Sequence, residues 1–176
     1  MIRVGIIGYG YWGPHIARNF HAADDCEVSV ICDKSPAAQG RIQRAYPGVR
    51  ATCDVSEVLS SPQIDAVAVI TPVWTHFELA KAALENGKHV FVEKPFTSTV
   101  AQAEQLIELA AKKHLTIMVD HTFLFTGAVK KIEHLIQTVA DAHQNARSDS
   151  INSGLGSVKT GYEDPQRDQG RNAAAG

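Results

Sequence analysis

The sequence predicts an α/β fold, a doubly wound parallel sheet followed by a non-globular C-terminal tail. Three observations carry that expectation. Up to about His121, short runs rich in Val and Ile alternate with turns and amphipathic stretches, the pattern of right-handed βαβ units. Most of these runs are continuously apolar, as strands covered on both faces are. The first of them ends in a glycine-rich turn, Gly8-Tyr9-Gly10-Tyr11-Trp12-Gly13, which opens a helix.

Strands are expected at Arg3–Ile7, Glu27–Cys32, Arg50–Cys53 (weak), Asp65–Ile70, His89–Glu93 and Thr116–Val119. Helix formers fill Gly13–Ala22, Ala37–Tyr46, Val55–Ser60, Thr75–Asn86 and Val100–His114, with Pro47-Gly48 and Asn86-Gly87 as stop signals. Leu106, Ile107, Leu109 and Ala110 give the fifth helix a core-facing stripe. After Gly127, Ala128–Ile136 reads as one more amphipathic helix, with Val129, Ile132, Leu135 and Ile136 on one side. From Asp141 to Gly176 neither the helical nor the strand period persists. The domain reading is therefore 1–122 as the sheet domain, 123–140 as a helix leading away from it, and 141–176 as a tail that is disordered or out of frame.

A chain of 176 residues, 44% of them apolar, suffices for one domain with a sizeable core but is short for two. Its 17 basic and 19 acidic side chains leave a formal charge of -2, no footprint for nucleic acid or an anionic membrane. No apolar run approaches the length of a membrane span, and Met1 leads straight into the first strand, so a cytoplasmic protein is expected. Cys26, Cys32 and Cys53 form no C-x-x-C pair, and His15, His21, His89, His114, His134 and His143 show no ligand spacing; neither disulfides nor a metal site is expected.

In the glycine turn, Gly8 permits the sharp bend, Gly10 leaves room for a pyrophosphate against the backbone, and Gly13 lets helix and strand pack closely. Asp33, 20 residues after Gly13 at the end of the second strand, is placed to accept hydrogen bonds from the adenosine ribose hydroxyls. Its charge repels a 2'-phosphate, which favours NAD over NADP; Lys34 and Arg41 are near enough in sequence to accept a phosphate if Asp33 turned away. Thr71-Pro72-Val73-Trp74-Thr75-His76 and Glu93-Lys94-Pro95 leave the fourth and fifth strands at their carboxyl ends, the edge where open α/β sheets bind ligands. Pro72 and Pro95 stiffen those exits, and the Lys94-Pro95 bond can be cis. Lys94 is either a residue that exchanges a proton with a reacting hydroxyl or half of an ordinary surface pair with Glu93. Trp74 either flanks the nicotinamide or caps the sheet edge, His76 either contacts cofactor or opens a helix, and His121 is either structural or a substrate contact.

Thr71-Pro72-x-x-x-His76, Ala80, Ala83-Leu84, Gly87-Lys88-His89-Val90 and Glu93-Lys94-Pro95, together with the opening glycines, Asp33 and Val119-Asp120-His121-Thr122-Phe123, resemble the glucose-fructose oxidoreductase / inositol dehydrogenase / rhizopine catabolism (Gfo/Idh/MocA) family over residues 1 to about 137. The resemblance implies an NAD(P)-binding Rossmann domain of a dehydrogenase that moves hydride to or from a hydroxyl or keto carbon of a sugar, nucleotide sugar or inositol. It also implies that Gly8, Gly10, Tyr11 and Trp12 hold the pyrophosphate and Asp33 the ribose. Thr71, Pro72, Trp74, His76 and Glu93 would border the nicotinamide half, with Lys94 the reactive lysine. Family members continue into a substrate domain that forms a homo-oligomer interface. No counterpart is visible here, so this chain is expected to be inactive alone, and the loss of period near Thr138 is read as a shifted frame or truncation. A non-catalytic NAD-binding module and an NAD-assisted glycosidase stay open beside the dehydrogenase.

Overall fold

The computed structural model describes the backbone of residues 1–154 and the side chains of residues 1–142. The chain divides into two compact units, Met1–Thr122 and Phe123–Gly176.

The first unit is a six-stranded sheet in the order β3-β2-β1-β4-β5-β6, with every neighbouring pair parallel. Its strands are β1 (Ile2–Ile7), β2 (Cys26–Cys32), β3 (Arg50–Thr52), β4 (Ala66–Val69), β5 (His89–Val92) and β6 (Ile117–Val119). Between them run α1 (Gly13–Ala22), α2 (Pro36–Ala45), α3 (Ser56–Leu59), α4 (His76–Glu85) and α5 (Val100–Lys113). A 3-10 turn, Val73–Thr75, precedes α4, so the expected single helix from Thr75 begins one residue later.

The continuous apolar runs arise because the central strands β1, β2, β4 and β5 are covered on both sides. Ile7, Val30, Val67, Val69, Val90 and Val92 pack with Ala80, Leu84, Leu106 and Ala110 of α4 and α5. Val4, Ile6, Val28, Ile31 and Ala68 face the other way, toward Ile16, Ala17, Ala38 and Ile42 of α1 and α2. Each fully buried Leu or Ile contributes about 1.5–3 kcal/mol to the fold. Ser35 caps α2 by accepting from the Ala38 N–H, with Pro36 at the first helical position. Thr99 accepts from the Gln102 N–H at the start of α5, while the Gln102 side chain accepts from the Ser98 N–H. Gly87, at φ 74°, ends α4 in the left-handed conformation.

At the amino edge of the sheet, Arg3 pairs with Asp65 through two guanidinium nitrogens at 2.8 and 3.0 Å. This pairing holds the Asp65 carboxyl well below the usual carboxylate range. Beside it Lys88 is buried, and its Nζ donates to the carbonyls of Ser61 and Ile64 at 2.6 and 2.9 Å.

In the second unit, α6 (Gly127–Gly154) carries Ile132, Leu135, Ile136 and Val139 exposed along one side. It runs past residue 140, where the helix expected from the sequence ends, and into the segment expected to be a non-globular tail. Ala140, Ala142, Gln144, Ala146 and Arg147 are strong helix formers, and propagating a formed helix is far cheaper than starting one. The rest of that expected tail, 155–176, lies outside the described residues. No helix among the described residues is long and apolar enough to cross a membrane.

Candidate dinucleotide site

Strand register builds the site. Thr52, Cys32, Ile7, Val69, Val92 and Val119 form one row across the sheet. One residue further along, the backbone N–H groups of Asp33, Gly8, Ile70, Glu93 and Asp120 each donate to a carbonyl in that row. The polar residues at the strand exits are thus brought to one edge, at the point where β1 parts β2 from β4 and the crossover connections diverge.

The glycine turn sits at the centre of this edge. Gly8 has φ 103°, and a Cβ there would collide with the Ile70 carbonyl. At Gly13 the same atom would meet the Gly8 carbonyl oxygen at 2.6 Å. Gly10 is different: nothing stands within 4 Å of where its Cβ would be, because that side opens into a cleft. No side chain caps the N-terminus of α1, so that positive end stays available to an anion.

The cleft has a volume of about 540 Å3 and runs between Gly8, Gly10, Asp33, Lys34, Thr71, Pro72 and Trp74. Asp33 is held from two sides: Oδ2 accepts from the Tyr9 N–H at 2.7 Å and Oδ1 from the Ser35 N–H at 2.8 Å. Arg41 does not turn toward the cleft as a free cation. Its Nη2 donates to the Tyr9 carbonyl at 3.0 Å, and its guanidinium lies 5.9 Å from the centre of the Tyr9 ring. Cys32 lines the floor, and burial pushes its thiol up to about 11, so it remains protonated.

A second hollow of about 250 Å3 shares Gly10, Thr71 and Pro72 with the first and adds Tyr11, Trp12, Glu93 and Lys94. Glu93 is 6% exposed, and its Oε2 has no hydrogen-bond partner. Burial raises the carboxyl above its ordinary value, and Asp120 adds to the rise against the opposing Lys94 and His76 charges. Lys94 is exposed and forms no ion pair with Glu93 among the described residues, and the Lys94-Pro95 bond is cis. Tyr11 and Trp12 meet edge to face at 5.3 Å, and Trp74 lines the larger cleft while 74% exposed.

Two expected site residues stand elsewhere. His76 lines neither hollow; it is 1% exposed, with Nδ1 2.9 Å from the Pro95 carbonyl oxygen and Nε2 2.7 Å from that of Thr71. Both polar atoms of the ring are engaged with loop carbonyls. His121 is exposed at the end of β6 and lines neither hollow either. Sequence reasoning missed Val55, Thr75, Glu78 and Leu79, all part of the larger cleft. Glu78 could have been found, because an acid in the first turn of α4 lies one helical turn from the Thr71-Pro72 exit; the apolar pair carried no signal.

A parallel sheet with its ligand edge at the topological switch point, a glycine turn opening into a cleft and an acid at the end of β2 defines a dinucleotide-binding domain of the Rossmann class. The family model described as "Oxidoreductase family, NAD-binding Rossmann fold" (GFO_IDH_MocA) matches residues 2–121. The chain belongs to this Gfo/Idh/MocA family. It is 51% identical over 121 residues to "Uncharacterized oxidoreductase YhhX" of Escherichia coli, a match covering 66% of this chain and 34% of that protein. It is 31% identical over 140 residues to "scyllo-inositol 2-dehydrogenase (NADP(+)) IolW" of Bacillus subtilis, covering 77% and 37%. The structure superposes with TM-score 0.72 and 30% identity on Synechocystis biliverdin reductase in complex with biliverdin and NADP+, covering 77% of this chain and 43% of that one. The chain thus spans about a third of the length of these curated relatives.

Proposed function

We propose that this chain is the cofactor-binding part of an NAD-preferring dehydrogenase that acts on a hydroxyl or keto carbon of a sugar, nucleotide sugar or inositol. The observation that carries the reading is the open face of Gly10, set between a fixed Asp33 carboxylate at one end of the cleft and Glu93 with Lys94 at the other. A side chain at Gly10 would fill the space a pyrophosphate needs, so these residues fit a dinucleotide.

When bound, the nicotinamide supplies the hydride acceptor or donor. The chain's own residues bind and orient. The turn from Gly8 to Gly13, with Tyr11 and Trp12, presents the N-terminus of α1 to phosphate. Asp33 keeps acceptor capacity for ribose hydroxyls and disfavours a second negative charge, which supports NAD over NADP. Thr71, Pro72 and Trp74 border the other half, and Glu93 offers its unpartnered Oε2 there. Lys94, exposed at the mouth, holds or releases the proton of the substrate hydroxyl, and His121 serves the substrate side.

Nicotinamide fluorescence in the presence of NAD and a panel of inositols, sugars and nucleotide sugars tests this reading. NAD binding by this chain, kept within about twofold in Lys94→Ala, is the expected result; reduction by one of the panel, abolished by Lys94→Ala, is expected once a substrate part of the kind its longer relatives carry is joined to it. Binding without reduction in that longer protein points to a non-catalytic module. Sugar release without net reduction points to the glycosidase reading.

A further inference from the structure

His76 is buried, in a family-matched stretch, between two loops that both border the smaller hollow. Its ring bridges residues far apart in sequence: Nε2 stands 2.7 Å from the carbonyl oxygen of Thr71, five residues back, and Nδ1 stands 2.9 Å from that of Pro95, 19 residues on. Each ring nitrogen thus stands within hydrogen-bond distance of a loop carbonyl, and the buried ring fills the space between the two loops.

On the Thr71 side the loop is already braced: Thr75 donates its hydroxyl to the Pro72 carbonyl at 2.7 Å and accepts from Thr71 at 2.6 Å. The Pro95 side has no comparable brace, and the Pro95 carbonyl is the atom His76 reaches.

We propose that His76 is a positioning residue: its ring, within hydrogen-bond distance of both the Pro95 and the Thr71 carbonyls, ties one loop to the other and so sets the spacing of Thr71 and Pro72 against Glu93 and Lys94 across the smaller hollow. The inference deepens the dinucleotide reading and rests on it for the identity of that hollow as the nicotinamide end. It assigns the histidine of the Thr71-Pro72-x-x-x-His76 run to geometry at one remove from the ligand.

Paired titrations with NADH and with ADP-ribose, which lacks the nicotinamide, test the positional role in His76→Gln, whose amide can reach one carbonyl, and in His76→Phe, which reaches neither. The expected result is a loss of about tenfold or more in NADH affinity with ADP-ribose affinity unchanged, larger for the Phe variant. Equal loss for both ligands, or none for either, overturns the positional role. A wild-type chain that binds neither ligand refutes the dinucleotide reading instead, and a thermal midpoint unchanged in both variants refutes the bridge between the loops.

Discussion

The Asp33 carboxylate accepts the backbone N–H of Tyr9 at 2.7 Å, so the acid at the end of β2 is bonded directly to the glycine turn at the end of β1. Its other oxygen takes the Ser35 N–H, one residue before α2. One side chain therefore fixes three chain segments and faces the cleft with a full negative charge.

Replacing Asp33 by Ser removes that charge and shortens the reach. NADH affinity should fall, and the preference for NADH over NADPH should shrink by about tenfold, roughly 1.4 kcal/mol. Parallel fluorescence titrations with the two cofactors measure it; an unchanged ratio would show that the charge of Asp33 does not select the cofactor.

Gly8 and Gly10 should fail in different ways. Gly8→Ala puts a Cβ on a residue at φ 103° and into the Ile70 carbonyl, at a cost of about 1–3 kcal/mol for the backbone alone, so the thermal midpoint should drop. Gly10→Val projects into open space and should leave the midpoint nearly unchanged while NADH binding is lost. Thermal melts and titrations on the same two proteins separate the effects.

Glu93 predicts an inverse acid response. Burial raises its carboxyl in the folded state above the 4.5 of a free glutamate, so folding favours the protonated form. Its contribution is best below pH 4.5 and is lost as pH rises through the raised value. Glu93→Gln should therefore stabilise the protein at pH 7 relative to wild type, with the advantage shrinking toward pH 4 in denaturant titrations.

Lys88 should matter at the opposite edge of the sheet. Lys88→Met leaves the Ser61 and Ile64 carbonyls without their donor and should cost about 2–3 kcal/mol by urea unfolding. Dinucleotide affinity should stay within about twofold, because Lys88 lies at the sheet edge away from the cleft.

Most of the first unit could be read along the chain because its signals are local. A Val/Ile run covered on both faces, a Gly-x-Gly-x-x-Gly turn between strand and helix, and an acid 20 residues later are all short-range patterns. Gly8, Gly10 and Asp33 were accessible for that reason, as were Thr71 and Lys94 at strand exits. The fate of His76 was not accessible. Whether a histidine at a helix start points to a ligand or to two carbonyls depends on where Pro95 passes, and that follows from β4 and β5 lying side by side. Arg41 was hidden likewise, since its partner is a backbone carbonyl 32 residues earlier. The continuation of α6 beyond residue 140 escaped an argument from apolar spacing, because helix propensity sustains it where the stripe has ended.

The sequence by itself determined the strand and helix alternation, the glycine turn and the family, because steric freedom at glycine and the periodicity of buried faces are written into neighbouring residues. Only the tertiary structure decided which polar groups face the cleft and which brace it. Parallel register carries five strand exits to one edge, and there the backbone carbonyls of distant loops claim His76 and Arg41 while leaving Glu93 Oε2 and the face of Gly10 free.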